Sequence, residues 1–113
     1  MLINAINYST EEQVIGTWID GKPLYQKTIL TTSPGALNTT VTVLTATTID
    51  HCQVIQFKLL RNNNGGIWIF STMSAFHEFD FNPNSKAFTW WNSNGELAGR
   101  QMIFTYQYTK TTD

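Results

Sequence analysis

Turn signals recur about every ten residues along this chain, and the runs between them are short and rich in Val, Ile, Thr and aromatic residues. Asp20-Gly21, Ser33-Pro34-Gly35, Arg61-Asn62-Asn63-Asn64-Gly65-Gly66, Asn82-Pro83-Asn84-Ser85 and Asn92-Ser93-Asn94-Gly95 are the clearest breaks. That spacing leaves no room for helices of ordinary length. It predicts an all-β fold, an antiparallel, jelly-roll-like β-sandwich of about seven to nine short strands. At most one short N-terminal helical turn fits, at Ser9-Thr10-Glu11-Glu12, where Ser precedes Glu by three residues as in a capping box. Residues 1–10 read as a lead-in from an upstream segment and residues 11–113 as a single domain.

Charged residues make up 13% of the chain, about half the usual share. Their place is taken by seventeen Thr, which favour strands, and ten Asn, which favour turns. The net charge is −1 and the cations are scattered, which argues against a nucleic-acid partner. No apolar run approaches the roughly 20 residues of a membrane-spanning helix, so no membrane insertion is expected. The N-terminus lacks the basic start and long apolar stretch of a signal peptide. A single cysteine, Cys52, excludes an internal disulfide.

The first hairpin can be read residue by residue. Asp20-Gly21 as a two-residue type I′ loop pairs Ile19 with Lys22, Trp18 with Pro23, Thr17 with Leu24 and Gly16 with Tyr25. Tyr25 would then cover the bare backbone of Gly16. Pro23 falls where its missing N–H points away from Trp18, which requires an edge at that point. Val14, Trp18, Pro23 and Tyr25 line one face and Ile15, Ile19 and Leu24 the other, so both faces need a cover. Trp18, Asp20, Gly21, Pro23 and Tyr25 are therefore assigned to scaffold and subunit contact.

Further along, Leu37–Thr48 reads as a Thr-rich, half-exposed strand region, and Val54–Leu60 as a strand with Ile55, Phe57 and Leu59 inward. Ile67–Met73 reads as a near-continuous apolar strand. Phe76–Phe81 and Lys86–Trp91 form a second hairpin, with Phe81 opposite Lys86, Phe79 opposite Phe88 and His77 opposite Trp90. Met102, Phe104, Tyr106 and Tyr108 alternate on the final strand.

The titratable inventory is thin, and the chain reads as non-enzymatic with no cofactor and no metal. His51 and His77 lie far apart and read as surface or rim residues, although three copies of His77 about a trimer axis are a conceivable metal site. Glu78 and Asp80 share a strand face and come nearest to a hydrolytic carboxylate pair; they read as the solvated side of a strand. No GxSxG elbow and no phosphate-cradling glycine loop is present. Trp90-Trp91 must project to opposite faces of a strand. One enters the core and the other meets solvent or a partner. The run WWNSN makes Trp90, Trp91, Asn92 and Asn94 the candidate glycan-binding residues, a ring stacking on a sugar while amides bond its hydroxyls. Core or subunit contact is the competing role for both tryptophans.

Two phrases carry a resemblance: GTWIDGKPLYQKTI, Gly16–Ile29, and the terminal YTKTTD, Tyr108–Asp113. In these the chain resembles C-terminal, receptor-binding-type domains of tail-fibre-like virion proteins from phages and prophages of gut bacteria. The matching parts are Tyr8–Ile29 and Phe104–Asp113; the middle, Leu30–Ile103, has no counterpart. The resemblance implies a virion location after synthesis in the bacterial cytoplasm, and a homotrimer joined to upstream fibre or other virion proteins. It also implies a host-surface glycan or protein as ligand, read by the unmatched middle. The alternatives are a carbohydrate-binding module of a larger secreted or virion-associated enzyme, and a purely structural fibre-tip connector.

Overall fold

A computed structural model describes residues 9–61, 66 and 68–113. Most of the expected lead-in and most of the Asn-rich loop lie outside the described residues. The strands are β1 (Gln13–Thr17), β2 (Pro23–Thr32), β3 (Thr40–Thr45), β4 (Ile49–Leu60), β5 (Trp68–Ile69), β6 (His77–Asn82), β7 (Ala87–Asn92) and β8 (Gln101–Lys110). They form two antiparallel sheets, one of five strands in the order β1-β2-β8-β4-β5 and one of three in the order β3-β7-β6. The fold is a β-sandwich. Pairings nest, β2 with β8 and β3 with β7, so the chain wraps as it does in a jelly roll.

The core lies between the sheets and is largely aromatic. Met102, Phe104, Tyr106 and Tyr108 of β8 all point inward and are buried, as their alternation predicts. Phe57 and Leu59 join them from β4, and Phe79, Phe88 and Trp90 come from the smaller sheet. Phe79 and Phe88 meet Phe104 with ring centroids 4.7 and 5.1 Å apart, and Phe88 lies 4.7 Å from Tyr106. Offset and tilted rings at these distances add to the gain from area burial.

Several expected details are corrected. The first hairpin has a three-residue loop, Ile19-Asp20-Gly21, instead of the type I′ pair. Trp18 N–H donates to the Lys22 carbonyl at 2.8 Å and Gly21 N–H to the Trp18 carbonyl at 2.9 Å. Only Gly21 takes positive φ (88°); Asp20 does not, and its carboxylate accepts the Lys22 N–H at 3.0 Å. One glycine is enough for a type I turn closed by a glycine bulge, so Asp20 never needs the left-handed region. The register moves with it. Thr17 faces Pro23, Gly16 faces Leu24 and Val14 faces Tyr25. Tyr25 therefore does not cover Gly16; it stacks on Tyr108 at 5.6 Å and donates to Asp113 at 2.7 Å. Pro23 opens β2, beyond the reach of β8, whose pairing starts at Tyr25.

The second hairpin is displaced by two residues, with Phe81 opposite Phe88 and Phe79 opposite Trp90. A shift of two keeps every side chain on its expected face. Asn82 Oδ1 accepts from the N–H groups of Asn84 and Ser85 and holds the longer loop. Ile55 points outward because β4 bulges between Val54 and Gln56, while Phe57 and Leu59 stay inward. The capping-box spacing yields no helix. Ser9 Oγ accepts the Glu11 N–H at 3.0 Å, and Glu12 is drawn away to Tyr108 and Lys110. The only helical turn among the described residues is Gly95–Leu97, capped by the Asn94 side chain.

The expected strand Ile67–Met73 changes sheets partway. Trp68 and Ile69 pair with Leu60 and Leu59 of β4, after which the chain crosses to the smaller sheet. There the Thr72 carbonyl accepts Phe79 N–H at 2.7 Å and Ser74 N–H donates to the His77 carbonyl at 2.8 Å. Crossing strands of this kind close the corner of a sandwich.

Phe104→Ala is expected to lower unfolding free energy by about 3–5 kcal/mol, because a fully buried ring at the centre of the stack is lost. Ala36→Ser, at an exposed loop position, is expected to stay within about 0.5 kcal/mol. Urea unfolding of the two variants checks both.

Candidate functional site

β7 is the middle strand of the smaller sheet, so its alternation decides what that sheet shows on each side. Phe88 and Trp90 are fully buried against the larger sheet. Thr89 and Trp91 must then point to the outer side, where Trp91 is half-buried. Its cross-strand neighbours are Thr40 on β3 and Glu78 on β6; those of Thr89 are Thr42 and Asp80. Thr40, Thr42, Glu78 and Asp80 are all exposed. Thr89 Oγ1 donates to Asp80 Oδ1 at 3.2 Å. The outcome is an indole set between a row of hydroxyls and a row of carboxylates, with neighbouring Cβ atoms about 5 Å apart.

The other candidates of the WWNSN run are differently placed. Trp90 stacks on His77 at 5.6 Å and on Phe57 at 6.3 Å, and its indole N–H is buried without a partner. Asn92 is buried and ties the chain turn, donating to the Asn94 carbonyl at 2.8 Å and accepting the Asn94 N–H at 2.9 Å. Asn94 Oδ1 accepts Glu96 N–H at 2.9 Å. Trp90 and Asn92 belong to the scaffold, and the Asn94 side chain acts as a helix cap. Trp91 is the member of the four that faces outward with an uncommitted ring.

His77 is corrected from rim to core. It is 2% exposed, with one ring nitrogen on Ser74 Oγ at 2.8 Å and the other on the Ser71 carbonyl at 2.7 Å. Both nitrogens are spent, so copies of His77 cannot meet at an axis to hold a metal. His51 is exposed and stacks on Trp18 at 5.7 Å. It also joins Asp20 and Asp50 in a group whose ligand atoms lie within 4.8 Å of one another. Sequence spacing hides this group, since Asp20 arrives from the hairpin loop and the others from β4. Lys22 Nζ sits 3.1 Å from Asp50 Oδ2, where a cation would sit, and its hydrogen bond holds the Asp50 carboxyl below the usual range. The group reads as an ion-pair cluster pinning the loop to β4. Cys52 is a poor nucleophile, because burial pushes its thiol up to about 12.

The strap from Phe70 to Phe76 competes as a binding surface. Phe70, Met73 and Phe76 are 57–63% exposed. A cleft of about 510 Å³ lies between the strap and Val54–Lys58, and another of about 360 Å³ beside Phe76, His77 and Leu97. On the strap, Ser71 Oγ donates to the Met73 carbonyl at 2.7 Å and Ser74 Oγ bonds the His77 ring at 2.8 Å. The larger cleft also carries Gln56, Lys58 and Thr72, with Lys58 Nζ 5.9 Å from the Phe70 ring, and its exposed ring is a phenylalanine without the broad indole face of Trp91.

Glu12 links the two ends of the chain. Burial alone would raise its pKa, but hydrogen bonds from Lys110 and Tyr108 outweigh that and hold it below its ordinary 4.5. A depressed carboxylate stabilises the fold above pH 4.5, and that contribution is lost as pH falls below it. Its side chain is 36% exposed, so screening limits the effect to about 1 kcal/mol. Glu12→Gln is therefore expected to be less stable than wild type at pH 7, with the gap closing as pH drops below 4.5 in a series of denaturant melts. In the same assay Trp90→Ala is expected to cost about 3–5 kcal/mol and Trp91→Ala about 1–2 kcal/mol. Comparison with family models, with curated proteins and with solved structures finds no match for this chain.

Proposed function

We propose that this domain is a non-enzymatic attachment module of phage virion or tail-fibre type, which self-associates as a homotrimer and binds a host-surface glycan through the outer side of its smaller sheet. The observation that carries the glycan reading is Trp91. It is a large ring left half-buried on an exposed polar face, with Thr40, Thr42, Glu78 and Asp80 about it and no role in the core. Pyranose rings stack on such surfaces through their C–H faces while hydroxyls bond the polar neighbours. Self-association is supported by Val14, Ile15 and Ile19, which the single chain leaves 66%, 43% and 94% exposed near the first hairpin.

A monomeric carbohydrate-binding module of a larger enzyme is the second reading, and one observation favours it. Edge strands β1 and β3 each carry a bulge, after Val14 and after Thr42, and β4 carries another after Val54, where β5 has ended. Bulges at bare edges work against pairing of one sheet with another. A trimer would thus have to use apolar side chains and not strand pairing.

Light scattering at micromolar concentration together with a glycan array tests the proposal. The expected result is a trimer that binds glycan, with Trp91→Ala weakening binding at least about tenfold. A clean monomer that binds glycan would move the assignment to the second reading. Binding to no glycan would leave a structural connector.

A further inference from the structure

Resting on the glycan reading of the Trp91 face, we propose that this face takes uncharged glycans and rejects anionic ones such as sialylated or sulfated chains. Its charge pattern carries the inference. Glu78 stands directly across from Trp91, and Asp80 two residues further along the same strand, both exposed. On the other flank the neighbours are Thr40 and Thr42, which are neutral. The registered positions around the ring therefore hold two carboxylates and hydroxyls, with no cation. Lys86, in the β6–β7 loop, exerts its charge on Asp50 of the larger sheet.

Two exposed carboxylates are strong acceptors for the hydroxyl pairs of a neutral pyranose lying on the ring. A carboxylate or sulfate on that same sugar would add like charge beside both. At the effective dielectric of a protein surface, that repulsion weakens binding about tenfold or more. The same repulsion is screened by salt, so the penalty shrinks as ionic strength rises, whereas a neutral glycan keeps its affinity.

An array of matched pairs, each neutral glycan printed beside its sialylated or sulfated form, tests this on the full chain. Wild type is expected to bind neutral members at least about tenfold better than their anionic partners at low salt, with the ratio falling at high salt. The double variant Glu78→Gln, Asp80→Asn is near-isosteric and exposed, and its fold is checked by thermal melting. It is expected to bring the ratio close to one. Equal or preferential binding of anionic members by wild type overturns the inference, as does a ratio that the double variant leaves unchanged. Binding of no member overturns the glycan reading itself, a separate outcome.

Discussion

Strand β8 runs through the middle of the larger sheet, and every second side chain from Met102 to Tyr108 ends in the space between the two sheets. Phe104 is the hub, in contact with Phe79 and Phe88 of the smaller sheet. This interlock is what the rest depends on. With only three strands, the smaller sheet has no separate hydrophobic support. Its position on the larger sheet follows from where Phe79, Phe88 and Trp90 find partners among Phe57, Phe104 and Tyr106. Once the inner sides of β6 and β7 are committed to that packing, the two-residue period of a strand fixes Glu78, Asp80, Thr89 and Trp91 on the outside. Core packing therefore sets the composition of the exposed face.

The first hairpin and the C-terminal strand, far apart in the chain, are neighbours in the same sheet. Tyr25 faces Tyr108 across β2 and β8, Glu12 reaches Tyr108 and Lys110, and Tyr25 bonds Asp113. The segments GTWIDGKPLYQKTI and YTKTTD thus form one structural unit. Trp91 lies away from that unit, on the other sheet. Under the attachment reading, such a division would let the scaffold stay constant while the outward face changes.

Much of this was legible in the sequence because it rests on period alone. The all-β sandwich, the inward alternation on β8, and the opposite destinations of Trp90 and Trp91 all follow from side chains alternating along strands. What was not legible depends on turn geometry and distant partners. Asp20-Gly21 suits either a two- or a three-residue loop, and the two are separated by the backbone bonds Trp18 N–H to Lys22 carbonyl and Gly21 N–H to Trp18 carbonyl, with positive φ at Gly21 alone. Ile55 looks inward until the bulge beside it is known. His77 looks like a rim residue because polarity is its only local signal. Its burial follows from Ser71 and Ser74, which the corner strap delivers to its two nitrogens. Asn92 and Asn94 look like free amides and are instead spent on the turn before β8.

The proposed binding face is the outer side of the β3-β7-β6 sheet, with Trp91 on it and Trp90 buried beneath it. Nitrogen–proton correlation spectra of the chain, titrated with a neutral glycan from the array, report both rings at once through their indole N–H signals. The Trp91 indole signal and the backbone amides of Thr40 and Glu78 are expected to shift with saturation while the Trp90 indole signal stays in place. A still Trp91 signal, with shifts gathered instead on Phe70–Phe76, would contradict that placement.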